Sequence, residues 1–270
     1  MPELPEVETI ARDLKASLAG QIVTDARFLN TAIREDCNRF DPKKLAGKRL
    51  GDVTRRGKNL IFRFESGLAM VCHLKMTGRL IVDSELADQN KHLHFIMSLD
   101  KSRLNFYDVR KFGRICITDE AGLTAHPRLS KLGPEPLEVD TGEFAARVKK
   151  RHKAIKLILM DQEVIAGIGN IYADESLFEA QIRPTAKPNR LTKERLIRLH
   201  QAIIKVLNIA INNRGTSVDD YLDGHGQKGN FQNLIKVYGK TGQPCPECGG
   251  PIKRIVLGGR STHYCPKCQK

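Results

Sequence analysis

Along the first twenty residues, apolar side chains recur at Val7, Ile10, Leu14 and Leu18, the spacing of one helix face. Pro5 suits the opening turn, Glu6 and Glu8 suit the positive N-terminal end, and Gly20 suits the stop. The pattern predicts an anchored helix that holds residues 2 and 3 at its leading end rather than on a loose tail.

From about Gln21 to Thr118 the pattern shortens to β-prone runs separated by turn residues. Examples are Asn59 to Glu65, Leu68 to Leu74, His92 to Leu99 and Arg103 to Val109, with Ser66-Gly67 and Asp100 to Ser102 between them. Antiparallel strands at this spacing predict a sandwich. Gly133-Pro-Glu-Pro136 suits neither a helix interior nor a central strand and reads as an interdomain linker. Beyond it the period is helical over Phe144 to Arg151, Ile155 to Asp161, Ile171 to Ala180 and Thr192 to Asn213. The last carries Leu196, Leu199, Ile203, Leu207 and Ile211 in register and ends at Gly215. A polar, Gly-rich stretch from Thr216 to Asn230 is too long for a routine connection and predicts a functional loop. The expected class is α+β and multidomain.

Charge narrows the partner. Across 270 residues, 45 Lys and Arg face 31 Asp and Glu, a net charge of +14. Such a surplus favours a polyanion, because each neutralised phosphate releases condensed counterions. A ribosomal or simply basic protein would show the same total. The first twenty residues carry Glu3, Glu6, Glu8 and Asp13 and so lack the apolar core of a signal peptide. No run approaches the roughly 18 apolar residues of a membrane span. The expected location is the bacterial cytoplasm or nucleoid. Of seven cysteines, Cys245, Cys248, Cys265 and Cys268 cluster at the C-terminus; Cys37, Cys72 and Cys116 stand among apolar neighbours. That distribution predicts one metal site and three buried thiols rather than disulfides.

The paired CxxC spacing, Cys245/Cys248 and Cys265/Cys268 separated by residues 249–264, is that of a four-thiolate zinc site. Zinc closes tetrahedrally on four cysteines in structural centres, so the ion should fold the last residues rather than catalyse; two disulfides or a redox pair is the alternative. Between the pairs, Gly258 to Thr262 reads as a hairpin tip that holds Arg260 out, although a tip arginine taken alone is more often a solvated or phosphate-contacting residue than a catalytic one. Gly167 and Gly169 precede a helix beginning near Asn170, where backbone amides suit a phosphate; a tight turn between packed helices would use the same glycines. Lys58 in Arg55 to Asn59, and Arg110 beside Phe112 in Asp108 to Gly113, read either as solvated strand ends or as groups that grip phosphates and fill the gap left by an extruded base. Pro2 gains interest if Met1 is removed. An α-amine has a reference pKa of roughly 7.7 to 8.0, and a secondary amine adding to a sugar aldehyde carbon gives an iminium that cannot shed its charge at nitrogen.

Together and in this order, these segments resemble the bacterial formamidopyrimidine-DNA glycosylase family. The matching stretches are Met1 to Thr9, Arg55 to Lys58, His73 to Gly78, Asp108 to Gly113, Leu132 to Pro136, Gly167 to Glu175, Val237 to Gly242 and the cysteine finger. The resemblance implies an N-terminal helix on a β-sandwich (1–132), a helical helix-two-turns-helix domain (133–235) with a lesion-capping loop at about 216–230, and a C-terminal β-hairpin zinc finger (236–270), with DNA in the cleft between domains.

It also implies roles. Pro2 is expected as the nucleophile at C1′, Glu3 as the acid/base that assists sugar-ring opening, Lys58 as the lysine supporting elimination, and Arg260 as the phosphate-gripping arginine of the second elimination. Asn170, His92, Arg110, Arg151 and Glu6 are expected at the DNA, with Met76, Arg110 and Phe112 filling the void after base flipping. The expected substrate is double-stranded DNA carrying oxidised purines, the expected cofactor one structural zinc, and the expected state a monomer without an obligate protein partner. Asp223 to Gly229 in the capping loop sets base preference in the family. An endonuclease VIII-like glycosylase for oxidised pyrimidines would share Pro2, Glu3 and the finger. A DNA-binding zinc protein without catalysis would share the charge and finger but has no use for Pro2, Glu3 and Lys58 together.

Overall fold

The computed structural model describes residues 1–37, 39–83, 90–217 and 221–270. They form two compact units, Met1–Ser130 with Asn213–Asn230, and Lys131–Asn212 with Phe231–Lys270. The long polar segment after the last helix therefore packs with the N-terminal unit, while the cysteine finger packs with the helices. Residues 218–220 of the expected capping loop lie outside the described residues.

In the first unit, α1 (Leu4–Leu18) buries Val7, Ile10, Leu14 and Leu18, as its periodicity predicts, and Gly20 follows with φ +83°. Among the described residues eight strands come next: β1 (Val23–Phe28), β2 (Leu50–Arg56), β3 (Asn59–Phe64), β4 (Leu68–His73), β5 (Gly78–Asp83), β6 (Leu93–Leu99), β7 (Arg103–Asp108) and β8 (Arg114–Asp119). They form two antiparallel four-stranded sheets, ordered β1-β6-β7-β5 and β2-β3-β4-β8. One core joins α1 to both sheets through residues such as Ile10, Phe62, Met70, Phe95 and Phe106. A second, smaller cluster of Ile61, Ala69, Val71, Cys116 and Leu123 covers the other face of β3, β4 and β8. Burial on both faces explains why β3 reads as a nearly continuous apolar run rather than an alternating one. A short helix, α2 (Glu120–Thr124), is capped by Asp119, whose carboxylate accepts the Gly122 N–H at 2.7 Å.

The second unit holds α3 (Thr141–Lys149), α4 (Ile155–Leu159), α5 (Asn170–Glu179), α6 (Lys193–Asn212) and the hairpin β9 (Lys253–Leu257) with β10 (Arg260–Tyr264). The helix start at Thr141 precedes the apolar pattern because Asp140 caps it, accepting the Gly142 and Glu143 N–H groups. The Gly133 to Pro136 segment is not a loose tether. The Gly133 N–H donates to Gln162 O at 2.8 Å, the Ala166 N–H donates to Pro134 O at 3.0 Å, and a Cβ on Gly133 would lie 2.6 Å from the Val164 carbonyl. His200 ties α6 to the same segment, with Nε2 at 3.1 Å from Pro136 O and its ring stacked 4.6 Å from Phe144.

The finger shares a core with α5: Phe178 packs with Val237, Cys245, Ile252 and Cys265. The buried Glu175 carboxylate of α5 accepts the backbone N–H groups of Lys236, Val237 and Tyr238 at 2.8–2.9 Å. Burial raises the Glu175 pKa against those three donors.

Candidate functional site

Pro2 and Glu3 sit at the head of α1, both buried, while Met1 is exposed. Their position is fixed by Glu6, whose carboxylate accepts the Glu3 N–H at 2.7 Å through one oxygen and the Thr216 N–H at 2.7 Å through the other. Glu6, expected at the DNA, is 2% exposed and joins the helix head to the segment after α6. The same segment is clamped further along α1. Arg214 Nη2 lies 2.6 Å from both Asp13 Oδ2 and Asp223 Oδ2, and Asp223 Oδ1 accepts the N–H groups of His225 and Gln227. Neither Asp13 nor Arg214 stands in a recognisable motif, so the sequence offers no signal for this clamp.

Lys58 occupies the two-residue turn between β2 and β3, where Arg56 pairs with Asn59. Gly57 takes φ +56° at the first turn position, which a side chain would strain. The solvated-strand-end reading of Lys58 fails: it is 7% exposed. Arg55 beside it is held by Glu8 of α1 at 2.8 Å, which anchors this turn to the helix that carries Pro2. Burial alone would raise the Glu8 carboxyl, but Arg55 and Arg12 outweigh it and the pKa falls.

Met76, Arg110 and Phe112 come together on the surface. The Arg110 guanidinium lies 4.5 Å from the Phe112 ring centroid and 3.3 Å from Met76 Sδ, and Met76 and Phe112 are 43% and 44% exposed. Three exposed side chains are thus gathered into one surface cluster through Arg110. Asp108 builds it. Fully buried at the end of β7, its carboxylate accepts the Arg110 N–H at 3.2 Å and the Gly113 N–H at 2.6 Å and takes a short hydrogen bond from the Thr77 hydroxyl. The motif containing Asp108 is visible in the sequence, but its organising role is not. His92 leads into β6 and, with Thr77, Arg79, Tyr107, Asp108 and Leu222, lines a cavity of about 240 Å³.

In the second unit, Asn170 opens α5 after Gly169. The Gly167 N–H is spent on Gln162 Oε1 at 2.9 Å rather than offered outward. Gln162 also donates to Met160 O and Ile168 O, shaping this turn from within. Arg151 is exposed just beyond α3 and lines an open groove of about 560 Å³ with Arg147 and Lys150.

Arg260 is exposed at the first position of β10, across from Leu257, with Gly258 and Gly259 both at positive φ in the turn. Ser261 and Thr262 belong to the strand rather than the tip. Behind Arg260 lies a buried ion pair: Lys156 Nζ is 2.8 Å from Asp174 Oδ1 and donates to Ser261 O and Thr262 Oγ1, both at 2.9 Å. Asp174 Oδ2 accepts the His263 N–H at 2.8 Å, so α4 and α5 together grip the strand that carries Arg260. Lys156 looks like an ordinary surface lysine in the sequence.

The sulfurs of Cys245, Cys248, Cys265 and Cys268 all lie within 4.8 Å of one another. The Gly250 N–H lowers the Cys248 thiol, while burial and the neighbouring thiols raise Cys245 and Cys268. Gly249, at φ +70°, turns the chain so that its N–H meets Cys245 O at 2.9 Å. A four-thiolate donor set at this spacing fits zinc and leaves no open position for catalysis.

Among the described residues, no helix is long and apolar enough to cross a membrane. Three family models match the chain: the formamidopyrimidine-DNA glycosylase N-terminal domain over residues 1–115, the formamidopyrimidine-DNA glycosylase H2TH domain over 132–221, and the zinc finger found in FPG and IleRS over 242–270. A formamidopyrimidine-DNA glycosylase of Desulfitobacterium hafniense is 43% identical over 277 residues, covering 100% of both chains. The structure is similar to a Lactococcus lactis FPG mutant in complex with a Fapy-dG containing DNA, with TM-score 0.92, 36% identity and 100% coverage of each chain. It is also similar to Lactococcus lactis Fpg with an abasic site containing DNA, with TM-score 0.91, 36% identity and 99% coverage of each. With relatives matched end to end and a family model on each segment, the chain belongs to the formamidopyrimidine-DNA glycosylase family.

Proposed function

We propose that this protein is a bifunctional DNA glycosylase and abasic-site lyase of base excision repair, acting on oxidised purines, 8-oxoguanine and formamidopyrimidines, in duplex DNA of the bacterial cytoplasm. The observation that carries this reading is the fixed placement of Pro2 and Glu3 at the buried head of α1. Once Met1 is removed, the Pro2 secondary amine attacks C1′ of the damaged nucleotide and expels the base, with Glu3 serving as acid/base in opening the sugar ring. The resulting iminium is an electron sink, so β-elimination and then δ-elimination release the strand ends, with Lys58 and Arg260 assisting. Arg110, Met76 and Phe112 fill the space left by the flipped nucleotide, and His92, Arg151, Asn170 and Glu6 belong to the DNA-binding set, Glu6 by holding the segment after α6. Cys245, Cys248, Cys265 and Cys268 hold one zinc ion, whose bound form closes the finger and keeps β9 and β10 rigid. The protein is expected to work as a monomer with one unit carrying the nucleophile and the other carrying Arg260.

Borohydride trapping on duplex containing 8-oxoguanine tests the chemistry. The expected adduct maps to Pro2 and disappears in Pro2→Gly or when an N-terminal tag is retained; an adduct on Lys58 alone would refute the assignment. Thymine glycol duplex run in parallel tests the substrate class, and faster cleavage there would favour the endonuclease VIII-like reading.

A further inference from the structure

Two cysteines outside the finger, far apart in sequence, are in contact. Cys37 lies in a segment that lines the free edge of β8. The Glu35 N–H donates to Ile115 O at 2.9 Å, and the Arg39 N–H donates to Ile117 O at 2.9 Å. Cys116 stands in β8 between those two acceptors, so the edge pairing brings Cys37 Sγ to 3.1 Å from Cys116 Sγ. The Cys37 thiol donates to the Cys116 sulfur, and the Cys116 thiol donates to Cys37 O at 3.3 Å. Cys37 is half-buried and reachable from solvent; Cys116 is fully buried.

A ring nitrogen of His126 lies within 4.8 Å of both sulfurs, which raises a metal site as one use of the cluster. The hydrogen bonding opposes it. His126 Nδ1 accepts the Arg128 backbone N–H at 3.3 Å, which places the proton of the neutral ring on Nε2, 3.5 Å from Glu35 Oε2. The Glu35 carboxylate is in turn held in a two-pronged pair by the Arg128 guanidinium, with Nη2 to Oε2 at 2.6 Å. Glu35 is thus committed to Arg128 and His126 Nδ1 to the Arg128 N–H, while the buried His126 Nε2 makes no hydrogen bond; the two thiols hydrogen-bond to each other, and two sulfurs with one imidazole fall short of the four donors that close a structural zinc site. A facing dithiol with one accessible and one resolving sulfur is the arrangement of a reversible disulfide.

We propose that Cys37 and Cys116 form a redox modification site, oxidised by small disulfides such as oxidised glutathione. The Cys37 thiolate attacks one sulfur of the oxidant, whose S–S bond breaks and releases one glutathione thiolate. Cys116 then attacks Cys37 Sγ and displaces the second. The two protons lost by the protein thiols end on the two glutathione molecules, so the protein gives up two electrons and the oxidant takes them. Burial lifts both thiols above their ordinary value, which keeps the thiolate fraction small and slows both attacks. The crosslink fastens the edge segment to β8 and closes a long loop, which restricts the unfolded chain.

The test uses the full-length, zinc-loaded protein incubated with oxidised glutathione, followed by thiol blocking and non-reducing peptide mapping. The expected result is a peptide pair joined through Cys37 and Cys116, reversed by reduced glutathione, with fully buried Cys72 left free. The oxidised wild type should melt at a higher temperature than the reduced form, and Cys37→Ser and Cys116→Ala should each abolish that difference. A mixed disulfide that stops at Cys37 would overturn the proposal. So would oxidation confined to the finger cysteines, or a second bound zinc that protects both thiols.

Discussion

Replacing Lys156 by methionine keeps most of the side-chain volume but strips Asp174 of a cation 2.8 Å away, in a place where both side chains are 0% exposed. Three interactions go at once: the ion pair and the two hydrogen bonds to Ser261 O and Thr262 Oγ1. Asp174 retains the His263 N–H, so the carboxylate is not wholly abandoned. Removing one partner of a buried pair costs about 3–5 kcal/mol, most of it the penalty on the charge left behind. With each 1.4 kcal/mol worth about a factor of ten, amide exchange in α5 and β10 should accelerate by roughly 10² to a few times 10³ at saturating zinc. The chain has no tryptophan, so exchange and far-UV circular dichroism are better probes than intrinsic fluorescence. Adding Asp174→Leu should recover part of the loss, because no uncompensated charge then remains. A Lys156→Met effect below about 1 kcal/mol, or a double variant equal to the sum of the singles, would refute the reasoning. Because Ser261 and Thr262 follow Arg260 in the strand, the same variant should lower strand cleavage more than DNA binding.

Glu6→Ala should cost about 2–4 kcal/mol in urea unfolding, since the Glu3 and Thr216 N–H groups lose their shared buried acceptor, and Glu6→Gln should cost less. Burial alone would raise the Glu35 carboxyl, but the His126 ring and Arg128 outweigh it and hold it below its ordinary value of 4.5. A depressed carboxyl stabilises the fold above its unfolded pKa and loses that contribution as pH falls through the folded one. The stability gap between wild type and Glu35→Gln should therefore be full at neutral pH and close below about pH 4.5, as read by urea titration across pH. Chelating the metal or introducing Cys248→Ser should raise exchange in β9 and β10 while leaving β3 and β7 protected; activity that persisted after proven metal loss would contradict a structural zinc. Phe112→Ala should leave stability within about 0.5 kcal/mol, because the ring is exposed, yet slow excision of 8-oxoguanine measured in single turnover.

Local pattern was enough for much of this molecule. The buried stripe of α1, the strands β3, β4, β6 and β7, the register of α6 and the paired CxxC motifs all follow from periodicity or spacing within short windows, where the cause is itself local. The Met76, Arg110 and Phe112 cluster could be named from motif resemblance, but its assembly depends on Asp108 folding the turn after β7 and on β5 pairing with β7. Lys58 misled as a local reading because burial is not a property of a turn tetrapeptide. It arises only in the folded unit, where Glu8 of α1 holds the neighbouring Arg55.

The order of elements, the polyanion-seeking charge and the metal donors can be read along the chain, because each is set by composition or by neighbours a few positions away. How those residues are held emerges from long-range packing. Glu6 joins the head of α1 to Thr216, Arg214 ties Asp13 to Asp223, Lys156 and Asp174 grip the Arg260 strand, and Cys37 meets Cys116 across a sheet edge. Each pairs groups distant in the chain whose hydrogen bonds and ion pairs gain their strength from burial, and burial exists only once each unit has folded around its own core.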